Sequence, residues 1–391
     1  MEKTRYLHEI KKIKKRILEI DIENLKEKGL QWTFFIISGN LANFLPKIPK
    51  NKHYEIIKEI YYNRSLNNLD LWYPFLLRKI KIIDNDNGLE LAKNNSFIFV
   101  SYHAGAYNLI LSYLFNKKIP LCLVVSEEYL LEHGKTIQDL YKKIPGNEGK
   151  EIVMISSNEI FLLRKLALKL KEGYSVFFFI DGNTGVQKKD FETKKNLLKI
   201  KFLQHHIYVR QGIALLAYLS KKNIITITAE RRGEINNVFR VKLVDINNIF
   251  IKFNNRKLFI EYLTKNLYKT LEEYLKTNYK QWIGWFYIHH YFNPDELEQN
   301  YSFDEKDKLK KNKIKLVTNE FIHLFKIKNK FFLIQKLKYE ILEIDEPLFE
   351  ILTFFLKERN IDYKNPLSIK DYNVNWNFIE ELIIMKYLKV K

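Results

Sequence analysis

The stretch SFIFVSYHAGAYNLILSYLF, residues 96–115, sets the reading of the whole chain. It opens on a run of apolar and β-favouring residues of strand length and ends on a segment with helical spacing of apolar residues. Between them lie His103 and a cluster of small residues, Ala104, Gly105 and Ala106. A buried strand that gives way to a helix through a polar residue is the unit from which α/β domains are built.

The alternation continues on both sides of that point. IPLCLVVS at 119–126, EIVMIS at 151–156, YSVFFFI at 174–180 and IITITAE at 224–230 all read as strands. NEIFLLRKLALKLKEG at 158–173 places Ile160, Leu163, Leu166 and Leu170 on one helical face and ends on Gly173, a C-capping residue. GIALLAYLSKK is a further helix. Strands that are apolar on both faces and alternate with helices predict an α/β domain with a mixed, largely parallel sheet flanked by helices. In such sheets ligands bind beyond the carboxyl ends of the strands. His103 stands at one such end, and Asp181 in FFFIDGNTG stands at another.

Composition bounds the rest. A chain of 391 residues, 46% hydrophobic and 15% aromatic, can bury a large core. Its single cysteine, Cys122, excludes an intramolecular disulfide framework and predicts a cytoplasmic site. A formal net charge of +20 favours polyanionic surfaces without choosing among them. The N-terminus MEKTRYLHEIKKIKKRILEIDIENLKEKG has helical spacing and no apolar stretch of signal-peptide length. WTFFIISGNLANFLP at 32–46 is too short to span a bilayer. The two pieces either pack on the main domain or lie on an anionic membrane surface, at the inner face of the membrane.

Four segments in order carry a likeness to a known family: GLELAKNNSFIFVSYHAGAYNLI, DGNTG, FLQHHIYVRQGIALLAYLSKKNIITITAERR and YKQWIGWFYIHHYF. Over residues 30–292 the chain resembles the lysophospholipid acyltransferase superfamily, and within it the late acyltransferases of lipid A biosynthesis. The resemblance implies transfer of a fatty acyl group from acyl-CoA or an acyl carrier protein to a hydroxyl or amine acceptor, with no cofactor or metal beyond the thioester co-substrate. It makes His103 the catalytic base. The acidic residue that the family carries five positions later is here Asn108, which the resemblance places as the orienter of the imidazole. An amide can orient a histidine but cannot stabilise an imidazolium as a carboxylate does. That departure keeps open a degenerate lipid-binding or carrier-binding protein. Gly105, with its small neighbours, clears space for a substrate and a close backbone approach; in the resemblance Asp181, Gly182 and Asn183 fall in the block near the acceptor or its phosphate, and Arg210 and Arg231 where phosphate or pantetheine would be held. Trp282 and Trp285 read as core or as the wall of an acyl tunnel.

Residues 293–312 are charged and poor in apolar residues, and read as a linker. Beyond them the strands FIHLFKI, KFFLIQK and YEILEID, a helix PLFEILTFFLKE and a helix around NFIEELIIMKYL predict a small α+β unit over 313–391. Three strands followed by helices resemble the PqqD-like winged-helix domains that hold a precursor peptide, which would make a ribosomal peptide the acceptor in place of a lysolipid or lipid A-like glycolipid. A winged helix can also read DNA. Here 14 Lys or Arg face 11 Asp or Glu, a surplus of 3 that is a weak footprint for phosphate contacts.

Overall fold

The computed structural model describes residues 2–20, 28–142, 152–183, 186, 191, 197–293, 313–336, 339–362 and 367–391. The chain divides into two compact units, one formed by Met1–Glu19 with Asn51–Phe292 and the other by Ile20–Lys50 with Asn293–Lys391. The sequence reading had kept 20–50 with the N-terminal domain. The linker drawn at 293–312 lies, apart from Asn293, outside the described residues.

The first unit begins with α1 (Glu2–Leu18). After the segment that belongs to the second unit, which holds α2 (Lys28–Phe44), come α3 (His53–Asp70), β1 (Ile80–Asp84), α4 (Gly88–Leu91), β2 (Ile98–Ser101), α5 (Asn108–Asn116), β3 (Leu121–Val125), α6 (Glu127–Lys142) and β4 (Val153–Ser156). Then follow α7 (Leu162–Lys171), β5 (Ser175–Phe179), β6 (Leu197–Phe202), β7 (His205–Arg210), α8 (Gly212–Ser220), β8 (Ile224–Arg231), β9 (Asn237–Val244), α9 (Ile246–Lys252) and α10 (Arg256–Asn278).

Seven of these strands form one sheet in the order β1-β9-β8-β2-β5-β3-β4. Every pairing is parallel except β8 with β9. The expected mixed, largely parallel sheet is therefore present. Its inner strands β2, β3, β5 and β8 read as apolar runs because both faces are covered. Along β2, Phe99 enters a core with Tyr6 and Ile10 of α1, Leu66 of α3 and Ile110 of α5. Its neighbours Ile98 and Val100 enter another with Leu166 of α7, Leu216 of α8 and Leu263 of α10. The spacing of apolar residues in α1 is thus spent on this core, which leaves the lysines of that helix outside. The helix over 158–173 begins later than expected, at Leu162. Ile160 precedes it and is exposed, while Gly173 takes the left-handed backbone (φ +94°) that a C-cap requires.

In the second unit, β10 (Lys313–Thr318) is followed by the meander β11 (Ile322–Ile327), β12 (Lys330–Gln335) and β13 (Glu340–Ile344). After it come α11 (Glu346–Phe354), β14 (Arg359–Asp362), the hairpin β15 (Leu367–Ile369) and β16 (Tyr372–Val374), α12 (Trp376–Ile384) and β17 (Leu388–Val390). The expected three strands and two helices are all there. β10, β14, β15, β16 and β17 are additions, too short or too polar to stand out in the sequence. Both helices start in the same way: the Asp345 carboxylate accepts the amide of Leu348 and the Asn375 side chain accepts that of Phe378. Each helix leads into a strand, and β14 and β17 join β10 from opposite sides.

The apolar face of α2 is likewise occupied. Phe35 packs on Phe325 of β11 and Phe332 of β12 at ring-centroid distances of 5.3 and 5.5 Å. The Tyr339 hydroxyl donates to Asn40 Oδ1 (2.6 Å) and accepts from the Asn43 amide (3.1 Å). The helix that read as a partner of the N-terminal domain therefore belongs to the sheet of the C-terminal unit.

Candidate active site

Register places the site. In the parallel pair β2 and β5, Ser101 lies opposite Phe179, so two residues further on His103 meets Asp181. The loop that carries His103 is fixed from the other side by residues 281–283. Ala104 pairs with Trp282, the amide of Gly105 donates to the Gln281 carbonyl (2.9 Å), and that of Ile283 donates to the His103 carbonyl (3.1 Å).

Asp181 is the group behind the histidine. Its Oδ1 is 2.9 Å from His103 Nδ1, and both oxygens accept the backbone N–H of His103, at 3.1 and 3.0 Å. Trp282 Nε1 donates to Oδ2 at 2.7 Å. The carboxylate side chain is 3% exposed and that of His103 21%. Asp181 is surrounded by N–H donors, so Nδ1 carries the ring proton and donates it to the carboxylate, and Nε2 keeps its lone pair. Phe179 stacks on the imidazole (centroids 4.4 Å, planes at 29°), and Tyr107 meets it edge-on at 5.1 Å. Aromatic contacts on the ring hold its plane. A partly exposed imidazole locked in one tautomer, with a buried carboxylate behind it, is an arrangement built to accept a proton.

Four of the expected site residues have partners within the chain that bear on their assignments. Asn108 does not orient His103: its amide donates to the Asn67 carbonyl at 3.0 Å, and Asn67 in turn donates to the Gly105 carbonyl at 2.6 Å. The carboxylate that does contact the imidazole is that of Asp181, expected beside the acceptor. Arg231 is unsuited to holding phosphate or pantetheine, because its guanidinium is buried and bonded to Asp70 at 2.6 Å, with side chains 4% and 0% exposed. Tyr6 donates to the same carboxylate at 2.7 Å. Gly105 serves its own chain before any substrate. Its φ is +62°, and an added Cβ would stand 1.8 Å from the Ala229 carbonyl oxygen, so only glycine lets this loop approach β8.

Of the other expected residues, Gly182 is the one with a contact distance to the histidine. Gly182 lies beside the imidazole, where an added Cβ would be 3.9 Å from His103 Cε1, and its carbonyl accepts the Tyr291 hydroxyl at 2.5 Å. Asn183 is exposed one residue on, and its backbone interacts with His290. Arg210 is exposed at the end of β7 and its charge acts on Tyr291. Trp282 and Trp285 are buried as expected, but the indole N–H of Trp282 adds a role the sequence reading did not give it. Cys122 is buried in β3, and burial pushes its thiol up to about 12, which removes it as a nucleophile near neutral pH. Among the described residues no cluster of three metal-ligating side chains occurs, and no helix is long and apolar enough to cross a membrane.

Two substitutions separate these roles. Asn108→Asp loses the donor to Asn67 and sets a carboxylate oxygen against a carbonyl, at a cost of about 1–2 kcal/mol, partly offset by about 0.5 kcal/mol from a negative charge at the start of α5. Denaturant melts should show a net loss near 1 kcal/mol, with turnover per folded molecule unchanged; a rise in turnover would return the orienting role to position 108. Arg231→Ala strands the Asp70 carboxylate in the core and should destabilise the unit by about 3–5 kcal/mol. The double change Asp70→Asn with Arg231→Met should recover part of that loss, and a single variant as stable as wild type would contradict a structural role.

No protein-family model matches the chain, and no curated protein matches it.

Proposed function

We propose that the chain is an acyltransferase in which His103 is the general base and Asp181 its orienting carboxylate. The observation that carries the reading is the His103 to Asp181 contact of 2.9 Å at the carboxyl end of adjacent parallel strands. The order of the four sequence segments that resemble the lysophospholipid acyltransferase superfamily supports it. An acceptor hydroxyl or amine gives its proton to His103 Nε2 as its lone pair bonds to the thioester carbonyl carbon. The tetrahedral centre then collapses, the carbon–sulfur bond breaks, and the proton passes from the imidazolium to the departing sulfur, which leaves as a free thiol. Because Cys122 is not a usable nucleophile, transfer is direct, without an acyl-enzyme on that residue. The alternative motivated by Asn108, a degenerate lipid- or carrier-binding protein, differs in predicting binding without thiol release.

The donor is acyl-CoA or an acyl carrier protein, and the acceptor a lysolipid, a lipid A-like glycolipid or a ribosomal peptide. The peptide reading draws on the second unit, where β13 is an outer strand of its sheet with Glu340, Leu342 and Glu343 exposed. An extended peptide can add to such an edge through main-chain hydrogen bonds. Amide exchange over 340–344 should slow when a bound precursor peptide is present; unchanged exchange at saturating peptide would favour a lipid acceptor. The reaction itself is tested by free-thiol release from an acyl thioester. Release that depends on added acceptor supports the proposal, and release equal to the uncatalysed rate with every donor and acceptor class contradicts it.

A further inference from the structure

One residue touches both sides of the His103 and Asp181 pair. The backbone of Trp282 bridges to Ala104, next to the histidine, and its side chain donates from Nε1 to Asp181 Oδ2 at 2.7 Å. The indole is 1% exposed and lies among rings, with Trp285 edge-on at 4.8 Å and Phe202 tilted at 6.0 Å. It passes so close to Gly284 that a Cβ there would stand 2.1 Å from both Cε2 and Cζ2 of the indole and 2.7 Å from Nε1. Gly284 is not among the glycines with a positive φ, so what position 284 requires is space and not backbone freedom. A rigid buried ring cannot swing aside as the end of a flexible side chain does. Any residue larger than glycine at 284 therefore displaces the indole from Asp181.

We infer that Trp282, seated by Gly284, is a positioning residue of the pair: its N–H holds Oδ2 of Asp181, which keeps Oδ1 on Nδ1 of His103. The inference rests on the acyl-transfer reading only for what the base does once positioned. Both carboxylate oxygens accept the His103 amide, at 3.1 and 3.0 Å, so that bond does not decide which oxygen faces the ring. The indole bond does, because it reaches one oxygen alone and is the shortest of the four contacts. An indole N–H can only donate. The ring proton on Nδ1 then meets the same carboxylate from the other side, and Nε2 of His103 is left as the accepting nitrogen. Without the indole the carboxylate is free to turn about its own bond, and the imidazole loses the contact that selects one tautomer.

Three variants of the full chain test this without any substrate. Trp282→Phe keeps a ring and loses the N–H, Gly284→Ala keeps the indole and displaces it, and the third combines the two changes. Heteronuclear spectra of isotope-labelled histidine, at a pH where the ring is uncharged, report which nitrogen of His103 carries the proton. His103→Ala identifies the signals among the nine histidines. Wild type should show the Nδ1–H form in about tenfold excess or more, and each single variant should bring the two forms within about threefold of each other. In thiol-release assays kcat should fall about tenfold to a hundredfold in each, the size of one hydrogen bond to a charged group, with KM within about twofold. The double variant should match Trp282→Phe, because the atoms that an alanine methyl would meet are those of the indole. Melts on the same preparations give the folded fraction, and Gly284→Ala decides alone should Trp282→Phe not fold. The tautomer is read with neither donor nor acceptor present, so a failure of acyl transfer and a failure of this inference give different results. No Nδ1–H excess in wild type, an unchanged excess in the folded single variants, or equal effects of Gly284→Ala with and without Trp282→Phe would overturn it.

Discussion

Replacing His103 by alanine is expected to lower turnover about 10²–10⁴-fold, the range over which a positioned general base contributes to proton-transfer catalysis. The fold should survive. The imidazole is partly exposed, and Asp181 keeps the His103 backbone amide and Trp282 Nε1 as donors when the ring is gone. What is lost is the stack on Phe179 and one hydrogen bond, together about 1–2 kcal/mol. Rates of thiol release and thermal melts on the same preparation separate the two effects. Near-normal turnover by a folded His103→Ala protein would remove the base assigned here.

Asp181→Asn should be nearly as damaging to the chemistry, for a different reason. The carboxylate accepts from three N–H groups: the His103 amide, His103 Nδ1 and Trp282 Nε1. An asparagine in the same place keeps one accepting oxygen and brings an N–H₂ that must face one of those donors. If it faces His103, the imidazole is driven to the tautomer with hydrogen on Nε2 and can no longer accept a proton. The corresponding amide change behind a catalytic histidine costs on the order of 10⁴ in turnover in serine proteases, and a loss of about 10³–10⁴ is expected here. It should fall on kcat with KM nearly unchanged, because the carboxylate is buried behind the ring and does not reach the acceptor. The unsatisfied donors should also lower stability by about 1–3 kcal/mol. A variant that kept more than about a tenth of wild-type kcat would show that Asp181 shapes the loop without tuning the base.

Much of the first unit was legible because its strands are buried on both faces and so stand out as apolar runs. β2, β3, β5 and β8 carry that mark, and β4, half-buried at one edge, is legible from its apolar composition alone. β1 and β9 do not: Lys81, Arg240 and Lys242 interrupt them, since one lies at the sheet's outer edge and the other beside it. The His103 position was visible from the strand-to-helix break, but its partner was sought five residues along the chain instead of across the sheet. Sequence spacing cannot report that β2 and β5 are neighbours, and it is this neighbour relation, with Ser101 opposite Phe179, that joins His103 to Asp181. Arg231 misled for a related reason. An arginine in a polar-looking segment resembles a ligand-binding group until Asp70, 161 residues away, is found bonded to it in the core. α2 was hidden by chain order, which ties it to the N-terminal domain, whereas Phe34 and Phe35 pack on Phe325.

The most direct measurement is intact-mass spectrometry of candidate acceptors, a lysolipid, a lipid A-like glycolipid and a precursor peptide, each incubated with acyl-CoA or acylated acyl carrier protein and the protein. Wild type should add the mass of one fatty acid, less water, to one acceptor class, and His103→Ala should not do so on the same timescale. Acceptors left unchanged in every combination, or an equal gain with His103→Ala, would contradict acyl transfer by the His103 and Asp181 pair.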